Sequence, residues 1–291
     1  MFPWRNDHRA ADQVLLWTAR VLGLVSATVL GLIVVFLIRE SSPALWNVGP
    51  FRFLTDDAWR PTADRWSLLP MLAATVLVTA GAIALAAPLG FLSAIFCRFL
   101  APAWIASIYR RMVELLCGIP SVVYGFWGLT VLAPWIRAIS PQPQGQSVLA
   151  GSIVLALMIL PTVALLAEAS LTNVPREYFQ AAAALGFSRW GTIRWVAFPA
   201  ARAGLGTAAL LATARALGET MAVLMVCGNV AKTPGSIFDS ARTLTANIAL
   251  ELDYAVGDHR SALFLGGLLL AALVAALVGL AEWIAGRKSH A

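Results

Sequence analysis

The sequence predicts an all-α integral membrane protein with six transmembrane helices. Of its 291 residues 59% are apolar and only 12% charged, and mean hydropathy is +0.78. Soluble domains are about 45–50% apolar and roughly 25% charged, so disorder and an ordinary soluble globule are both excluded. The apolar residues gather into stretches of about 20, the length that carries a helix across the hydrocarbon core of a bilayer. The formal net charge of +6 comes almost entirely from arginine, the only lysines being Lys232 and Lys288. Collected between apolar stretches, that excess reads as membrane topology rather than as a nucleic-acid surface.

The elements follow in chain order. Residues 1–20 are expected to form a cytoplasmic N-terminal segment, and 21–291 a transmembrane domain. No cleavable leader is expected, because the apolar run after Arg20 is long and is followed by Arg39-Glu40 rather than by small residues. The spans fall at about 21–38, 69–97, 112–136, 148–171, 204–227 and 262–285. The loop 39–68 carries Trp46, Phe51, Phe53, Trp59 and Trp66, rings suited to the bilayer interface or to an external partner. The loop 98–111 holds Arg98, Arg110 and Arg111 without an acid. Glu114 follows at ion-pairing spacing from Arg110 and Arg111 and reads as part of a surface pair. Glu168, near the inner end of the fourth span, is placed to meet the following loop. Gly118, Pro120, Gly125 and Gly128 are expected to break or kink the third span, or to serve close packing. The loop 228–261 turns at Lys232–Gly235 and then holds an amphipathic helix, Ser240–Leu252. Putting both termini inside gathers most of the arginines into inner segments, with Asp7, Asp12 and Glu177 the only acids there. The outer loops balance, so this orientation is expected.

Several chemistries are absent. No G-x-x-x-x-G-K-[ST] run is present to cradle nucleotide phosphates. His8, His259 and His290 all lie outside the spans, and no H-E-x-x-H pattern exists for zinc. Ser121 has no histidine at its depth to act as base. Cys97, Cys117 and Cys227 are odd in number and read as packing residues. Transport, or a structural role in a membrane complex, remains.

The segment 173–203 is long for an inter-helix loop. Pro175 suits a first helical turn, Glu177 the positive helix end, and the alanine-rich run to Leu185 favours helix. Gly186 ends that helix, Ser188 caps a second, and Pro199 ends the second. By itself the pattern fits an amphipathic hairpin on lipid as well as a docking element. The run Gln180-Ala181-Ala182-Ala183-Ala184-Leu185-Gly186, with Phe198-Pro199, resembles the E-A-A-x-x-x-G…L-P loop of ATP-binding-cassette (ABC) importer permeases. It departs from that pattern at Gln180 for Glu and Phe198 for Leu. Gly118-Ile119-Pro120-Ser121-Val122-Val123-Tyr124-Gly125, Ala214–Val223 and Leu244–Ala249 resemble the phosphate-importer permeases of the PstC type.

The resemblance implies a type I importer permease fold with a cytoplasmic coupling-helix loop at 173–203. Gln180, Ala181, Ala182, Gly186, Arg189 and Pro199 would meet the ATPase. It implies a second homologous permease, two copies of a cytoplasmic ATPase that binds ATP and magnesium, and a periplasmic or lipid-anchored phosphate-binding protein. The chain itself would hold no cofactor, catalyse nothing, bind no nucleic acid and sit among lipids of the bacterial inner membrane.

At membrane depth, Arg215 and Glu219 stand at i,i+4 spacing in the fifth span, on one helix face. A charge there costs at least about 2.5–3.5 kcal/mol on insertion scales, so it faces a partner or an aqueous path. Arg215 is expected to line an anion path with Glu219 holding it in place, and Thr220 and Ser121 to add hydroxyl donors; the alternative is a purely structural pair. The expected function is phosphate import by alternating access. Another oxyanion, sulfate or molybdate, is the alternative within transport, and a membrane scaffold or sensor the alternative outside it.

Overall fold

The computed structural model describes residues 7–140 and 144–286. Arg5, Arg287 and Lys288, which entered the charge balance, and His290 lie outside these residues. Among the described residues the chain is almost wholly helical. Six helical stretches are long and apolar enough to cross a membrane: Asp12–Asn47, Leu69–Leu100, Ser121–Ile139, Val148–Thr172, Arg189–Leu217 and Gly257–Leu280.

Helix α1 (Asp7–Asn47) runs unbroken through the expected N-terminal segment and on past Pro43. Its Leu, Val and Ile side chains are exposed along nearly the whole length, as a lipid-facing helix requires. It leans chiefly on the last helix, α13 (Gly257–Gly286), where Phe36 meets Phe264 edge to face at 5.6 Å.

After α1 come a short helix α2 (Arg52–Thr55) and a two-stranded hairpin, β1 (Trp59–Arg60) and β2 (Arg65–Trp66). Trp59 pairs with Trp66, and Asp64 takes the left-handed conformation at the turn (φ 55°). The aromatics of this loop divide. Trp46 and Phe51 are exposed, but Phe53, Trp59 and Trp66 are buried with Met71, Leu244 and Leu263. These three are therefore core residues of an end cap rather than interface anchors.

The centre of the bundle is α3 (Leu69–Ile95) against α7 (Val148–Thr172), the most extensive helix pair among the described residues. Apolar burial drives no association between helices already in lipid, so close backbone approach and interhelical hydrogen bonds hold the pair. A Cβ on Gly90 of α3 would lie 2.6 Å from Val163 Cγ1. Ser152 Oγ of α7 donates to the Val148 carbonyl at 2.8 Å and reaches the Val78 carbonyl of α3 at 3.3 Å. A π-helical turn, Phe96–Leu100, extends α3.

The third span differs from expectation. Residues 103–139 divide into α4 (Ala103–Cys117), α5 (Ser121–Trp127), a π-helical turn at Gly128–Leu132 and α6 (Ala133–Ile139). The crossing stretch starts at Ser121, not near 112. The helix breaks at Ile119-Pro120: Pro120 is extended (φ −59°, ψ 141°), and proline disfavours the α region for the residue before it. Glu114 is likewise not the partner of Arg110. Arg110 Nε donates to Glu168 Oε2 at 3.2 Å, and its Nη2 to Oε1. Glu168 thus meets α4, not the loop that follows α7.

That loop holds α8 (Arg176–Ala184) and α9 (Arg189–Thr192). Gly186 has φ +74°, and Phe187 N–H reaches back to the Ala182 carbonyl at 3.0 Å, closing the end of α8. Ser188 Oγ accepts from Gly191 N–H at 3.1 Å and caps α9. Pro199 does not end the second helix. A π-helical turn, Ile193–Ala197, passes directly into α10 (Phe198–Leu217), so the helix that holds the fifth apolar stretch begins at Arg189. Proline deprives the preceding turn of one hydrogen bond and crowds its carbonyl; the wider turn just before it accommodates both.

Beyond α10 lie α11 (Met221–Val226) and α12 (Leu244–Glu251). The latter starts four residues later than expected, because Ala241 bridges Gly228 and Thr243 Oγ1 caps the helix by accepting from Ala246 N–H at 3.2 Å. Glu251 ties the cap together. It accepts from Trp59 Nε1 at 2.8 Å and Arg242 Nη1 at 2.6 Å, and lies 2.9 Å from His259 Nε2.

Candidate functional site

Two helix breaks lie side by side. The first is Gly118-Ile119-Pro120, between α4 and α5. The second is Gly218-Glu219-Thr220, between α10 and α11. Helices α5 and α11 pack together because Gly125 has no side chain: a Cβ there would lie 3.0 Å from Ala222 Cα and 2.9 Å from Met225 Sδ. Non-helical backbone is tolerated at membrane depth only inside protein or beside water, so the paired breaks lie in one of those two settings.

The freed backbone groups are satisfied locally. Tyr124 Oη spans the first break and donates to the Leu116 carbonyl at 3.0 Å. At the second, Glu219 Oε1 accepts from Ala222 N–H at 3.0 Å, capping α11, and Thr220 Oγ1 donates to the Gly218 carbonyl at 3.3 Å. Thr245 Oγ1 of α12 donates to the Glu219 carbonyl at 2.7 Å, and Leu244 N–H donates to Thr75 Oγ1 of α3 at 3.0 Å. Tyr124, Thr245 and Thr75 thus belong to the site although sequence reasoning gave them no role there. Tyr124 and Thr75 are hydroxyls within expected spans, the one signal that pointed to them; Thr245, in the 228–261 segment, carried none.

Arg215 occupies the last turn of α10, exposed, within electrostatic reach of the Tyr124 hydroxyl. The expected pairing with Glu219 does not form. Helix α10 stops at Leu217, between the two residues, and the carboxylate turns to the start of α11. No carboxylate lies within 4.0 Å of the Arg215 guanidinium among the described residues. A permanently charged, planar, five-donor group is therefore left open beside a break. Ser121 and Thr220, both partly exposed, open α5 and α11 beside it.

The opposite end of the bundle carries the α8–α9 hairpin. Gln180, Ala181, Gly186 and Arg189 are exposed there, and Pro199 is exposed beyond the π-helical turn. Ala182 is 2% exposed and packs within its own chain. Leu185, Phe187, Trp190 and Trp195, which sequence reasoning passed over, are large, apolar and exposed on the same hairpin and its continuation. Apolar side chains gathered on an otherwise polar end suit contact with a protein or with the membrane surface.

Comparisons with known proteins bear on the family and the fold. Residues 86–290 match the model of the family described as binding-protein-dependent transport system inner membrane component. The chain is 39% identical over 292 residues to the probable ABC transporter permease protein YqgH of Bacillus subtilis, covering 97% of this chain and 94% of that one. It is 34% identical over 293 residues to the phosphate transport system permease protein PstC of Mesorhizobium japonicum, covering 94% and 89%. In fold it is similar to a bacterial ABC transporter for import of the acidic polysaccharide alginate, with TM-score 0.59, 15% identity, and coverage of 94% and 99%. It is also similar to the inward-facing methionine transporter MetNI, with TM-score 0.56, 21% identity, and coverage of 74% and 91%.

Proposed function

Since the chain belongs to the family of binding-protein-dependent transport system inner membrane components, and is thus a non-catalytic ABC importer permease, we propose that its cargo is inorganic phosphate. ABC importer permeases work with a separate ATPase and a periplasmic binding protein. The reading here adds two ATPase copies, a second homologous permease, a phosphate-binding protein at the outer face and both termini in the cytoplasm. ATP and magnesium belong to the ATPase. The exposed hairpin, with Gln180, Ala181, Gly186 and Arg189, is its docking surface.

The observation that carries the reading is the unpaired Arg215 at a helix break. A cation without a counter-ion is unfavourable at membrane depth unless water or an anion visits it. Its planar fork matches two oxygens of a tetrahedral oxyanion. Glu219, whose carboxylate caps α11, does not compete for it. Alternating access follows when movement of the hairpin opens the breaks to one side and then the other.

The test is radiolabelled phosphate uptake by cells lacking every other phosphate importer, with this chain present or deleted. Uptake that depends on the chain and resists excess unlabelled sulfate and molybdate is expected. Uptake of sulfate or molybdate instead, with phosphate excluded, would reassign the cargo.

A further inference from the structure

Glu168 is a carboxylate on a membrane-spanning helix, its side chain 8% exposed, that serves neither the path nor the docking hairpin directly. It meets Arg110 through both oxygens, with one contact of 3.2 Å. Arg110 has Glu114 one turn further along its own helix, yet reaches 58 residues along the chain instead. Fixing two long side chains across helices costs entropy, and burying a carboxylate costs desolvation. A pair kept under those costs has a geometric reason.

The two residues stand where two rigid units meet. On one side, α7 runs four residues past Glu168 to Thr172, whose Oγ1 donates to the Glu168 carbonyl at 2.8 Å. Leu171 and Val174 are then buried with Ile193 and Ala197, so the end of α7 and the hairpin form one packed unit. On the other side, α4 leads from Arg110 to Leu116, whose carbonyl holds Tyr124 across the first break; α5 then lies on α11. Beside this pair α4 buries Ala106 and Val113, while Trp104, Ile108, Met112 and Leu115 face outward.

We propose that the Arg110–Glu168 ion pair is the link through which movement of the α8–α9 hairpin reaches the breaks at 118–120 and 218–220. This rests on the reading of the hairpin as the ATPase docking surface. Arg110 and Glu168 are positioning residues; neither touches the cargo. The pair couples by charge and two-point geometry, so its sign pattern matters more than its volume.

The experiment uses the complete transporter in membrane vesicles with phosphate-loaded binding protein. It reads phosphate taken up per ATP hydrolysed. Glu168→Gln and Arg110→Gln are each expected to lower that ratio at least about fivefold, the lower end of ordinary coupling energies, while hydrolysis continues. Reversal of both charges, Arg110→Glu with Glu168→Arg, is expected to restore most of it. An unchanged ratio in the single variants, or no recovery in an assembled reversal, would overturn the link. If a single variant fails to assemble, Arg110→Met with Glu168→Met removes both charges without stranding either. That double variant is expected to hydrolyse ATP without matching uptake, and a normal ratio would overturn the proposal. Gly186→Val in parallel separates the two readings. If it uncouples while Glu168→Gln does not, the link alone fails; if neither does, the docking reading fails with it.

Discussion

At the scale of single residues, conformation and hydrogen bonding decide more than size. No atom lies within 4 Å of where a Gly186 side chain would start, so substitution there is penalised by its φ of +74° alone. Asn tolerates the left-handed region and a β-branched residue does not. Gly186→Asn is therefore expected to keep most transport and Gly186→Val to lose it, as read by phosphate uptake per ATP; equal effects would show that backbone geometry is not the requirement. Tyr124→Phe leaves the Leu116 carbonyl without its partner across the first break. Its expected cost is about 0.5–1.5 kcal/mol, read as a lowered thermal midpoint of the purified complex. An unchanged midpoint would mean the hydroxyl does not hold the break. The positive φ at Gly186 was legible because an alanine-rich helix running into glycine has few other endings. The separation of Arg215 from Glu219 was not. Their spacing fits one helix face, and only the Gly218 break, reinforced by Thr245 from α12, turns the carboxylate to α11.

At the scale of elements, local sequence signals failed where tertiary packing intervened. Pro199 reads as a helix stop, but the π-helical turn Ile193–Ala197, with Ile193 and Ala197 buried against α7, carries the helix through. Trp59 and Trp66 read as membrane-interface rings. Strand pairing and the Glu251 carboxylate, nearly 200 residues distant, fold them inward, and no spacing rule reveals such a contact. Glu251→Ala strands Arg242, whose side chain is only 19% exposed. Breaking such a pair typically costs about 3–5 kcal/mol, so the cap is expected to loosen and Trp59 to become accessible to acrylamide. A quencher-protected Trp59 would contradict the clamp. The hairpin turn also has a pH dependence of defined sign. The Trp66 indole N–H and the Arg52 guanidinium hold the Asp64 carboxyl below the usual carboxylate range. A depressed carboxylate stabilises the fold above its unfolded value and loses that contribution as pH falls through the folded value. Trp66 emission is thus expected to stay constant from neutral pH to about pH 4, near the ordinary aspartate value, and to change only below it. The effect is small and screened by salt, because Asp64 is exposed. A transition centred near pH 6 would contradict the assignment.

For the whole molecule, apolar stretches of about 20 residues made helices in a bilayer, and their number, legible, since a helix of that length satisfies all its backbone groups internally. Where the chain crosses was less legible, because α4 and α9 join crossing helices through a break and a π-helical turn that hydropathy does not register. Receipt of the anion by Arg215, at the paired breaks, is the proposal on which transport by this chain turns. Its most direct test is uptake of radiolabelled phosphate by the reconstituted transporter carrying Arg215→Gln, alone and with Glu219→Gln, normalised to assembled complex. The account predicts loss of uptake in the single variant and no recovery in the double variant, because the two residues are not partners. Recovery in the double variant would show that they form a structural pair, and would contradict the anion path.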